Sequence, residues 1–308
     1  MKNTCLVSGG AGFIGSNVVD GLIENGFDVS IIDNLSTGKE KNLNPNAKFF
    51  NADIRDKAKL NEVFKEVKPR YVFHLAAQID VRKSVSDPHF DASINVLGSI
   101  NMFELSVKHK VKRIIFSSTG GALYGEPKKL PAHEETEIAP LAPYGVSKYC
   151  SEQYLNYFKR LYGIERVILR YANVYGPRQD PLGEAGVVAI FTGKILNNEK
   201  PTIFGDGNQT RDYIYVKDVV NANLLAINGK EGVYNIGTGI ETSVNELIDI
   251  FSELTKRKIE PIYAPPRPGE VNRISLDFSR AKKELGFTPQ YSLQKGMEET
   301  LNWFRENS

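Results

Sequence analysis

Tyr144 and Lys148 are four positions apart in LAPYGVSKYCSEQY (141–154), a stretch with a helical pattern. At 3.6 residues per turn, this spacing puts a phenol and an ammonium on nearly the same helix face, with Cβ atoms roughly 5–6 Å apart. A phenol has a pKa near 10, so a base that works near pH 7 needs a shift of about three units, or about 4 kcal/mol. One ammonium about 4 Å away supplies a Coulomb energy of that order at an effective dielectric constant of about 20. The pair can therefore either move a proton or form an ordinary surface contact.

The strand pattern that precedes this helix favours proton transfer. RIIFSS (113–118) ends in hydroxyl side chains and is followed by Thr119. Because the carboxyl ends of strands in an open parallel sheet meet the ligand crevice, we expect the hydroxyls of Ser118 and Thr119 to face Tyr144. A hydroxyl there can bind a substrate oxygen and relay its proton. For one of Ser117 and Ser118, we expect only capping of the strand end.

A glycine-rich segment, GGAGFIG (9–15), lies between the first strand pattern and a helical pattern. Its GxxGxxG spacing is a variant of the dinucleotide fingerprint, in which the backbone turns tightly and approaches a pyrophosphate. The start of the following helix offers free N–H groups and a positive dipole to the anion. The residues that we expect to hold the pyrophosphate are Gly9, Gly12, Phe13, Ile14 and Gly15.

Asp33 ends the second strand pattern about twenty residues further on, where a carboxylate would accept hydrogen bonds from an adenosine ribose. The same carboxylate would repel a 2′-phosphate, and no arginine follows it closely, so NAD is favoured over NADP. Lys39 and Lys41 weaken that preference. Asp53 follows the strand pattern AKFFN, where it is either a solvated loop acid or a contact to adenine.

Short apolar, β-branched segments alternate with amphipathic helical patterns up to about residue 176. This alternation predicts an α/β protein with a Rossmann-type, doubly wound parallel sheet and right-handed crossovers. Further on, Gly- and Pro-rich pieces separate short helices, which we predict over 216–228, 243–256 and 292–305, while GVYNIGTG has a strand pattern. We predict an NAD-binding domain over 1–176 and a smaller, mixed α/β substrate-binding domain over 177–308, with some segments returning to the first.

Composition excludes several classes of protein. The 308 residues are 41% hydrophobic and 25% charged, and 39 basic against 37 acidic residues give a net charge of +2. That balance lacks the concentrated positive field typical of binding to nucleic acid or to a membrane surface. The chain has no apolar run of about eighteen residues, and its start leaves no room for a signal peptide, so we expect a cytoplasmic protein. We expect Cys5 and Cys150 to be buried, reduced thiols, and without a Cys/His cluster we expect no metal.

Motifs along nearly the whole chain resemble the extended short-chain dehydrogenase/reductase family, and within it the enzymes that act on nucleotide sugars. They include GGAGFIG, IIDNLSTG, HLAAQIDV, INVLGS, PYGVSK, RYANVYGPRQ, FGDGNQTRDYIYVKDV and RPGEV. The resemblance implies that Tyr144 is the catalytic base and acid, and that Lys148 holds the nicotinamide ribose and lowers the pKa of the tyrosine. It also implies further contacts to NAD from Asn34, Ile54, Leu75, Ala76, Ala77, Gln78, Asn95, Ser117 and Tyr171.

The hydroxyl partner of the tyrosine is Thr119 or Ser118 in this resemblance. Counting forward from RIIFSS puts Thr119 at the family's Ser/Thr position, whereas counting back from Tyr124 puts Gly120 there. We prefer Thr119 and keep Ser118 as the alternative.

The resemblance further implies a UDP-hexose substrate, UDP-glucose or UDP-galactose, that is epimerised at C4 through a transient 4-keto sugar, and it implies a homodimer. Arginine guanidinium groups suit bidentate contacts to a diphosphate, and Phe204 with the backbone near 187–190 would enclose uracil. The expected substrate contacts are Asn173, Val187, Phe204, Arg211, Arg267 and Glu270.

Three other functions stay open. Epimerisation or decarboxylation of UDP-glucuronate would need a cation for the sugar carboxylate, such as Arg82 or Lys83. A 4,6-dehydratase would carry an Asp-Glu pair where this chain has Gly120 and Gly121. A catalytically idle NAD sensor on the same fold is the third alternative. The choice between plain and N-acetylated hexoses is expected to depend on the neighbourhood of Ile274.

The helices expected at a dimer interface span about 95–109 and 144–162. Aromatic residues of the second helix could equally belong to the core, and for each residue taken alone we favour the core. These residues are Tyr154, Tyr157 and Phe158.

Overall fold

The computed structural model describes residues 3–182, 186–266 and 271–307. Arg267 and Glu270, two of the expected substrate contacts, lie outside the described residues. The strands are β1 (Thr4–Ser8), β2 (Asp28–Asp33), β3 (Lys48–Asn51), β4 (Tyr71–His74), β5 (Arg113–Thr119), β6 (Glu165–Tyr171), β7 (Asn173–Tyr175), β8 (Thr202–Phe204), β9 (Thr210–Arg211), β10 (Tyr213–Tyr215), β11 (Gly232–Ile236), β12 (Thr242–Ser243) and β13 (Ile262–Ala264).

The helices flank these strands. They are α1 (Phe13–Glu24), α2 (Lys57–Val67), α3 (Val81–Ser86), α4 (Pro88–Ala92), α5 (Ser99–Lys108), α6 (Pro143–Tyr162), α7 (Val187–Leu196), α8 (Val216–Asn228), α9 (Val244–Thr255), α10 (Ser279–Leu285) and α11 (Leu293–Asn307). A 3₁₀ turn covers Glu40–Asn42, and a π-helical segment, Ser93–Gly98, joins α4 to α5. No helix in the described ranges has both the length and the apolar character needed to cross a membrane.

Seven strands form one parallel sheet in the order β11-β6-β5-β4-β1-β2-β3. The order reverses between β1 and β4, because the chain runs outward from β1 to β3 and then returns to place β4 on the other side of β1. Ligands of such sheets bind at this switch point, outside the carboxyl ends of the strands. The predicted Rossmann-type α/β fold is confirmed.

Both faces of this sheet are buried, which explains why its strands have nearly continuous apolar runs. Successive side chains of a strand point to opposite faces, so neighbours such as Leu6 and Val7 belong to different cores. The core that includes Val7 contains residues of α1 and α8, and the core that includes Leu6 contains residues of α2, α5 and α6. The helices are therefore held in place by the strands that carry the candidate site.

The second half of the chain forms small two-stranded pairs around a third core, which includes residues of α7, α9 and α11. The three helices predicted there are confirmed within two residues, as α8, α9 and α11. Strand β11, within GVYNIGTG, pairs with β6 at the edge of the large sheet. The domain boundary at 176/177 stays a prediction.

Candidate active site

The turn between β1 and α1 has the shape of a phosphate cradle. Gly9 has φ +75°, and a Cβ on it would lie 2.7 Å from the backbone nitrogen of Ala76. A Cβ on Gly15 would lie 2.0 Å from the carbonyl oxygen of Gly9. Both positions therefore require glycine if the turn is to stay this tight. Helix α1 begins at Phe13 without a side-chain cap, so its first N–H groups remain available to an anion. These features fit a dinucleotide pyrophosphate.

Asp33 lies beside this cradle at the end of β2. Its Oδ2 accepts a hydrogen bond from the Ala11 N–H at 3.0 Å, and its Oδ1 accepts one from the Leu35 N–H at 2.9 Å. Burial raises the pKa of the carboxyl group above its ordinary value. Lys39, which weakened the preference for NAD, forms an ion pair with Asp180 at 2.8 Å. Asp33 is thus placed to support the turn as well as a ribose, and its ribose contact stays a prediction.

Asp53 is bound to Arg55, a partner that the sequence analysis missed. Arg55 donates from Nε to Oδ1 at 2.9 Å and from Nη2 to Oδ2 at 2.7 Å, and Asn34 Nδ2 donates to Oδ2 at 2.9 Å. The hydrogen bonds from Arg55 hold the pKa of Asp53 at about 2. The signal in the sequence that could have revealed this ion pair was the position of Arg55, two residues after Asp53. Both interpretations of Asp53 remain open, and the neighbouring Ile54 is buried.

The chain after β4 runs against the cradle. The N–H of Leu75 donates to the Ser8 carbonyl oxygen at 3.1 Å, and Ala76 N–H donates to Ser8 Oγ at 3.3 Å. Ala77 follows in this segment, which then reaches Gln78.

Gln78 and Asn95 are joined by two reciprocal hydrogen bonds. The N–H of Gln78 donates to Asn95 Oδ1, and Asn95 Nδ2 donates to the Gln78 carbonyl oxygen, both at 2.9 Å. Asn95 lies in the π-helical segment, and such segments often occur at functional sites. The structure thus brings the expected cofactor contacts after β4 together at one edge of the sheet.

Tyr144 and Lys148 lie in the first two turns of α6. The N–H of Tyr144 donates to Ser84 Oγ of α3 at 3.1 Å, so a serine from another helix caps α6 in place of a local one. Lys148 is only 3% exposed, and its Nζ lies 4.3 Å from the centroid of the Phe116 ring. Burial lowers the pKa of Lys148 to about 8, although the negative charges of Glu152 and Asp91 act in the opposite direction. Ser84 was not found from the sequence, because its contact spans 60 positions.

The pKa of the Tyr144 phenol is raised in the folded chain, not lowered. Burial raises its pKa above the ordinary value, and the negative charge of Asp91 adds to that rise. In the chain by itself, the Lys148 ammonium therefore does not bring the pKa of Tyr144 below its ordinary value, contrary to our expectation. Since burial disfavours the phenolate, an additional positive charge is needed, and a nicotinamide cation beside the ring would provide one.

Ser118 and Thr119 differ in their surroundings. The Ser118 hydroxyl donates to Glu152 Oε1, and the Glu152 carboxylate also accepts from Arg170 Nε at 3.0 Å and Nη2 at 2.6 Å. Ser118 is thus part of a buried ion-pair network, and the expectation that its hydroxyl faces Tyr144 is wrong. Thr119 is partly exposed, and its Oγ1 accepts one hydrogen bond, from the Ala122 N–H at 3.2 Å. Thr119 remains the better candidate for the catalytic hydroxyl.

We predict that Thr119→Val lowers kcat by about 10²-fold, since valine has the same shape but no hydroxyl to bind the reacting sugar oxygen. Ser118→Ala is the matched comparison. It removes a hydrogen bond to Glu152 and is expected to cost about 1–3 kcal/mol of stability with little loss of kcat. Steady-state kinetics and urea unfolding of both variants decide the assignment. A larger kcat loss in Ser118→Ala than in Thr119→Val would reverse it.

Ser117 and Tyr171 are joined by a hydrogen bond between their side chains. The Tyr171 hydroxyl is buried, is hydrogen-bonded to Ser117 and accepts from Asn223 Nδ2 at 2.8 Å. Their expected contacts to NAD stay predictions. Ile274, near which sugar selectivity was expected, is 1% exposed and packs in the first core.

Asn173 begins β7 beside the Gly120-Gly121 turn. Its Oδ1 lies 3.3 Å from the place that a Cβ on Gly121 would take, so it stands next to the turn that follows Thr119. Val187 opens α7, whose first turn has no side-chain cap. Both are expected substrate contacts. Val187 lies in the uncapped first turn of α7, where backbone N–H groups are available, whereas the Asn173 N–H donates to the Asp212 carbonyl oxygen at 2.9 Å.

Phe204 ends β8, and Arg211 ends the short strand β9. The Arg211 guanidinium donates from Nη1 to the carbonyl oxygens of Thr210 at 2.8 Å and of Asn272 at 3.3 Å. A cavity of about 650 Å³ follows β8, and its lining is Gly205, Asp206, Tyr263, Ala264 and Pro266. Within the described ranges, no group of three His, Cys, Asp or Glu side chains is arranged to hold a metal ion.

Comparison with known proteins connects this site to one family. Residues 5–237 match the model of the "NAD dependent epimerase/dehydratase family". A protein of Methanocaldococcus jannaschii named "Putative UDP-glucose 4-epimerase" is 56% identical over 306 residues, covering 98% of this chain and 99% of the relative.

Two solved structures have nearly the same fold. A UDP-glucose 4-epimerase of Thermotoga maritima, crystallised with UDP-glucose, has a TM-score of 0.97 at 52% identity and covers 99% of both chains. A UDP-glucose 4-epimerase of Thermus thermophilus, in complex with NAD, has a TM-score of 0.94 at 42% identity, covering 99% of this chain and 100% of its own.

Proposed function

The chain belongs to the NAD dependent epimerase/dehydratase family, and we propose that it is an isomerase that interconverts UDP-glucose and UDP-galactose by epimerisation at C4. The observation that carries the proposal is the position of Tyr144 and the buried Lys148 on α6, which packs against β5, two strands from the cradle strand β1. A proton acceptor, an ammonium and a dinucleotide cradle at one sheet edge are the parts that reversible oxidation of a sugar hydroxyl needs.

In this mechanism, Tyr144 as phenolate takes the proton from the sugar 4-hydroxyl, and the Thr119 hydroxyl binds the same oxygen. Bound NAD supplies the acceptor for the hydride from C4 and its donor in the return step. The 4-keto sugar turns within the site between the two steps. Tyr144 then returns its proton to the 4-oxygen, now on the opposite face of the sugar. The Lys148 ammonium stabilises the phenolate in both directions.

The substrate must be held by its nucleotide end so that the sugar can turn. Arg211 has the charge and the planar donors that suit a diphosphate, and Asn173 lies beside the turn that follows Thr119. Phe204 adjoins the cavity that follows β8 and offers an aromatic face to uracil. If the site binds UDP tightly and the hexose weakly, the same site accepts both epimers.

The test is incubation of the purified protein with a panel of UDP- and dTDP-sugars, followed by mass spectrometry and NMR of the products. We expect UDP-galactose and UDP-glucose to interconvert with no change of mass and without added reductant. Inactivity toward every UDP-hexose would refute the proposal. Loss of CO₂ from UDP-glucuronate would instead identify a decarboxylase, and NAD binding without any turnover would identify a sensor.

One observation disfavours 4,6-dehydration. A Cβ on Gly120 would lie 2.4 Å from Leu276 Cδ1, so an acidic side chain at this position would have to displace a buried leucine. The acid and base that dehydration needs at C5 and C6 therefore have no room at Gly120.

We also propose that the protein is a homodimer that uses one face of α6. This stripe consists of Val146, Cys150, Tyr154, Tyr157 and Leu161. The spacing keeps these residues on one helix face, and Tyr154 and Tyr157 are 39% and 45% exposed. Our preference for the core is therefore wrong for these two tyrosines, although Phe158 is buried as expected. An apolar stripe of this length on a helix surface indicates an interface, and a two-fold dimer is the commonest form.

A cavity of about 490 Å³ between α4 and the start of α6 includes Val146 and Cys150 in its lining, so the stripe continues into a recess that a second copy can fill. Cys5 is buried as expected, whereas the expectation that Cys150 is buried is wrong, since it is only partly buried. A cytoplasmic location stays a prediction.

We predict that Tyr157→Lys weakens dimerisation by at least about tenfold, equivalent to about 1.4 kcal/mol, because it puts a charge within the apolar stripe. Sedimentation equilibrium of wild type and variant over a range of protein concentrations measures the change. Ile240→Lys, which charges an exposed isoleucine away from α6, is the control and should dimerise like wild type. A monomeric wild type, or an unchanged Tyr157→Lys, would contradict the assignment.

A further inference from the structure

Asp91 in α4 is a buried carboxylate that neither the sequence motifs nor the mechanism uses. The residue is 1% exposed. Its Oδ1 accepts hydrogen bonds from Gln78 Nε2 at 2.9 Å and from Asn95 Nδ2 at 3.0 Å. Its Oδ2 is buried and has no hydrogen-bond partner among the described residues. A buried, unpaired carboxylate oxygen destabilises a fold, so its presence calls for a functional reason.

A chain of hydrogen bonds joins Asp91 to the catalytic turn of α6. Asn95 Nδ2 also donates to Ser147 Oγ at 3.3 Å, and the Ser147 hydroxyl donates to the Tyr144 carbonyl oxygen at 3.0 Å. Ser151 adds a second link, since its hydroxyl donates to the Asn95 carbonyl oxygen at 2.6 Å. The carboxylate, the expected cofactor contacts and the helix of Tyr144 therefore form one connected unit.

We propose that Asp91 is a positioning residue of the epimerase site. Its negative charge, which has no ion-pair partner among the described residues, acts on the Tyr144 phenol and the Lys148 ammonium so that one tyrosine both takes the proton and returns it. The inference rests on the proposed function. It assigns a role to a residue that touches neither substrate nor cofactor and acts through its neighbours.

Asp91 is the carboxylate whose charge acts on both Tyr144 and Lys148. Glu152, on α6 itself, also raises the pKa of Lys148, but it is paired with the Arg170 guanidinium of β6 and is not among the causes of the raised pKa of Tyr144. His74 of β4 is neutral at physiological pH, because burial and the Lys148 charge lower its pKa to about 3. From α4, Asp91 faces the pair without an ion-pair partner among the described residues.

A nearby negative charge raises the pKa of both a phenol and an ammonium. Burial lowers the pKa of Lys148 to about 8, and the charges of Glu152 and Asp91 both oppose this lowering, so the ammonium stays protonated near neutral pH. For Tyr144, the charge of Asp91 limits how acidic the phenol becomes beside Lys148 and a nicotinamide cation. Proton transfer in both directions works best when the pKa of the group lies near the operating pH. A phenol made too acidic would take the proton but return it poorly.

The test is Asp91→Asn, which keeps an oxygen acceptor for Gln78 and Asn95 but removes the charge. We expect both limbs of the pH profile of kcat/KM to move to lower pH, by about one unit, since the pKa values of Tyr144 and Lys148 both fall. The melting temperature should stay the same or rise, because an uncompensated buried charge is gone. A merely structural role would lower the melting temperature and leave the pH profile in place.

A second readout does not need turnover. The phenolate absorbance of NAD-loaded protein is titrated with pH, and the spectrum of Tyr144→Phe is subtracted to isolate Tyr144. Asp91→Asn should move this titration to lower pH. If no UDP-hexose is turned over, the proposed function fails, while this titration still decides on Asp91.

Two variants separate charge from geometry. Asp249→Asn removes an exposed charge from α9 and should leave both titrations unchanged. Ser147→Ala breaks the hydrogen-bond chain without removing a charge and should leave the pH profile in place. An unshifted profile in Asp91→Asn, an equal shift in Ser147→Ala, or a failure of Asp91→Asn to fold would overturn the inference.

Discussion

Tyr144→Phe is expected to lower kcat for UDP-galactose epimerisation by about 10²- to 10⁴-fold, the range of a positioned general acid and base. The substitution removes one hydroxyl and keeps the ring. The cap of α6 by Ser84 uses the backbone N–H of residue 144 and is not affected. The loss should therefore appear in kcat, with the melting temperature and bound NAD unchanged. Steady-state kinetics, thermal unfolding and the absorbance of released NAD measure the three quantities.

Tyr162→Phe is the control for this experiment, because Tyr162 lies on the same helix, is exposed and stands at the far end from the site. It should keep wild-type kcat. The loss in Tyr144→Phe should also be larger than that in Thr119→Val, since the threonine hydroxyl binds the sugar oxygen but does not take its proton. Full activity of Tyr144→Phe would refute the proton-transfer role and with it the mechanism.

Glu152→Ala is expected to lower the free energy of unfolding by about 3–5 kcal/mol, because it leaves a buried arginine without its counter-ion. Arg170 is buried and donates two hydrogen bonds to Glu152 and one from Nη1 to the Tyr124 hydroxyl at 2.8 Å. The Ser118 hydroxyl loses its acceptor in the same variant. Urea unfolding of wild type and variant gives the difference.

The exposed pair of Glu104 and Lys57 provides the comparison, since Glu104 lies on the neighbouring helix α5. Glu104→Ala should cost no more than about 1 kcal/mol, as surface ion pairs contribute little. Replacing both partners, Glu152→Met with Arg170→Met, should recover most of the stability lost in Glu152→Ala, because no unpaired charge remains. A loss below about 1 kcal/mol in Glu152→Ala would show that the buried pair does not hold α6 against β5 and β6.

The Glu152 network also explains why the catalytic hydroxyl could not be chosen from the sequence. Ser118 and Thr119 have adjacent positions and similar side chains, and counting from either side gave different answers. The distinction depends on Glu152, 34 positions away from Ser118. The spacing of Glu152 four residues after Lys148 was a visible signal of a shared helix face, but its partner Arg170 came only from the packing of α6 against β6.

The pH behaviour of the site was likewise beyond the sequence. An ammonium four residues from a phenol suggests a lowered pKa, but the pKa depends on how much water each group loses and on charges from other elements. In the folded chain, burial raises the pKa of Tyr144, and Asp91 contributes in the same direction. The same dependence on surroundings applied to Tyr154 and Tyr157, whose exposure is set by which neighbours cover α6.

By itself, the sequence determined the elements and the local motifs of this protein: the parallel strands, the helices, the glycine turn before α1 and the tyrosine and lysine on one helix face. These follow from periodicity, glycine geometry and helix spacing, which involve residues close together in the chain. Only the tertiary structure decided which hydroxyl is available, which carboxylates face Lys148 and which aromatic side chains reach the surface. The physical reason is that burial and electrostatic potential at a side chain are sums over neighbours from distant segments, which no local pattern contains.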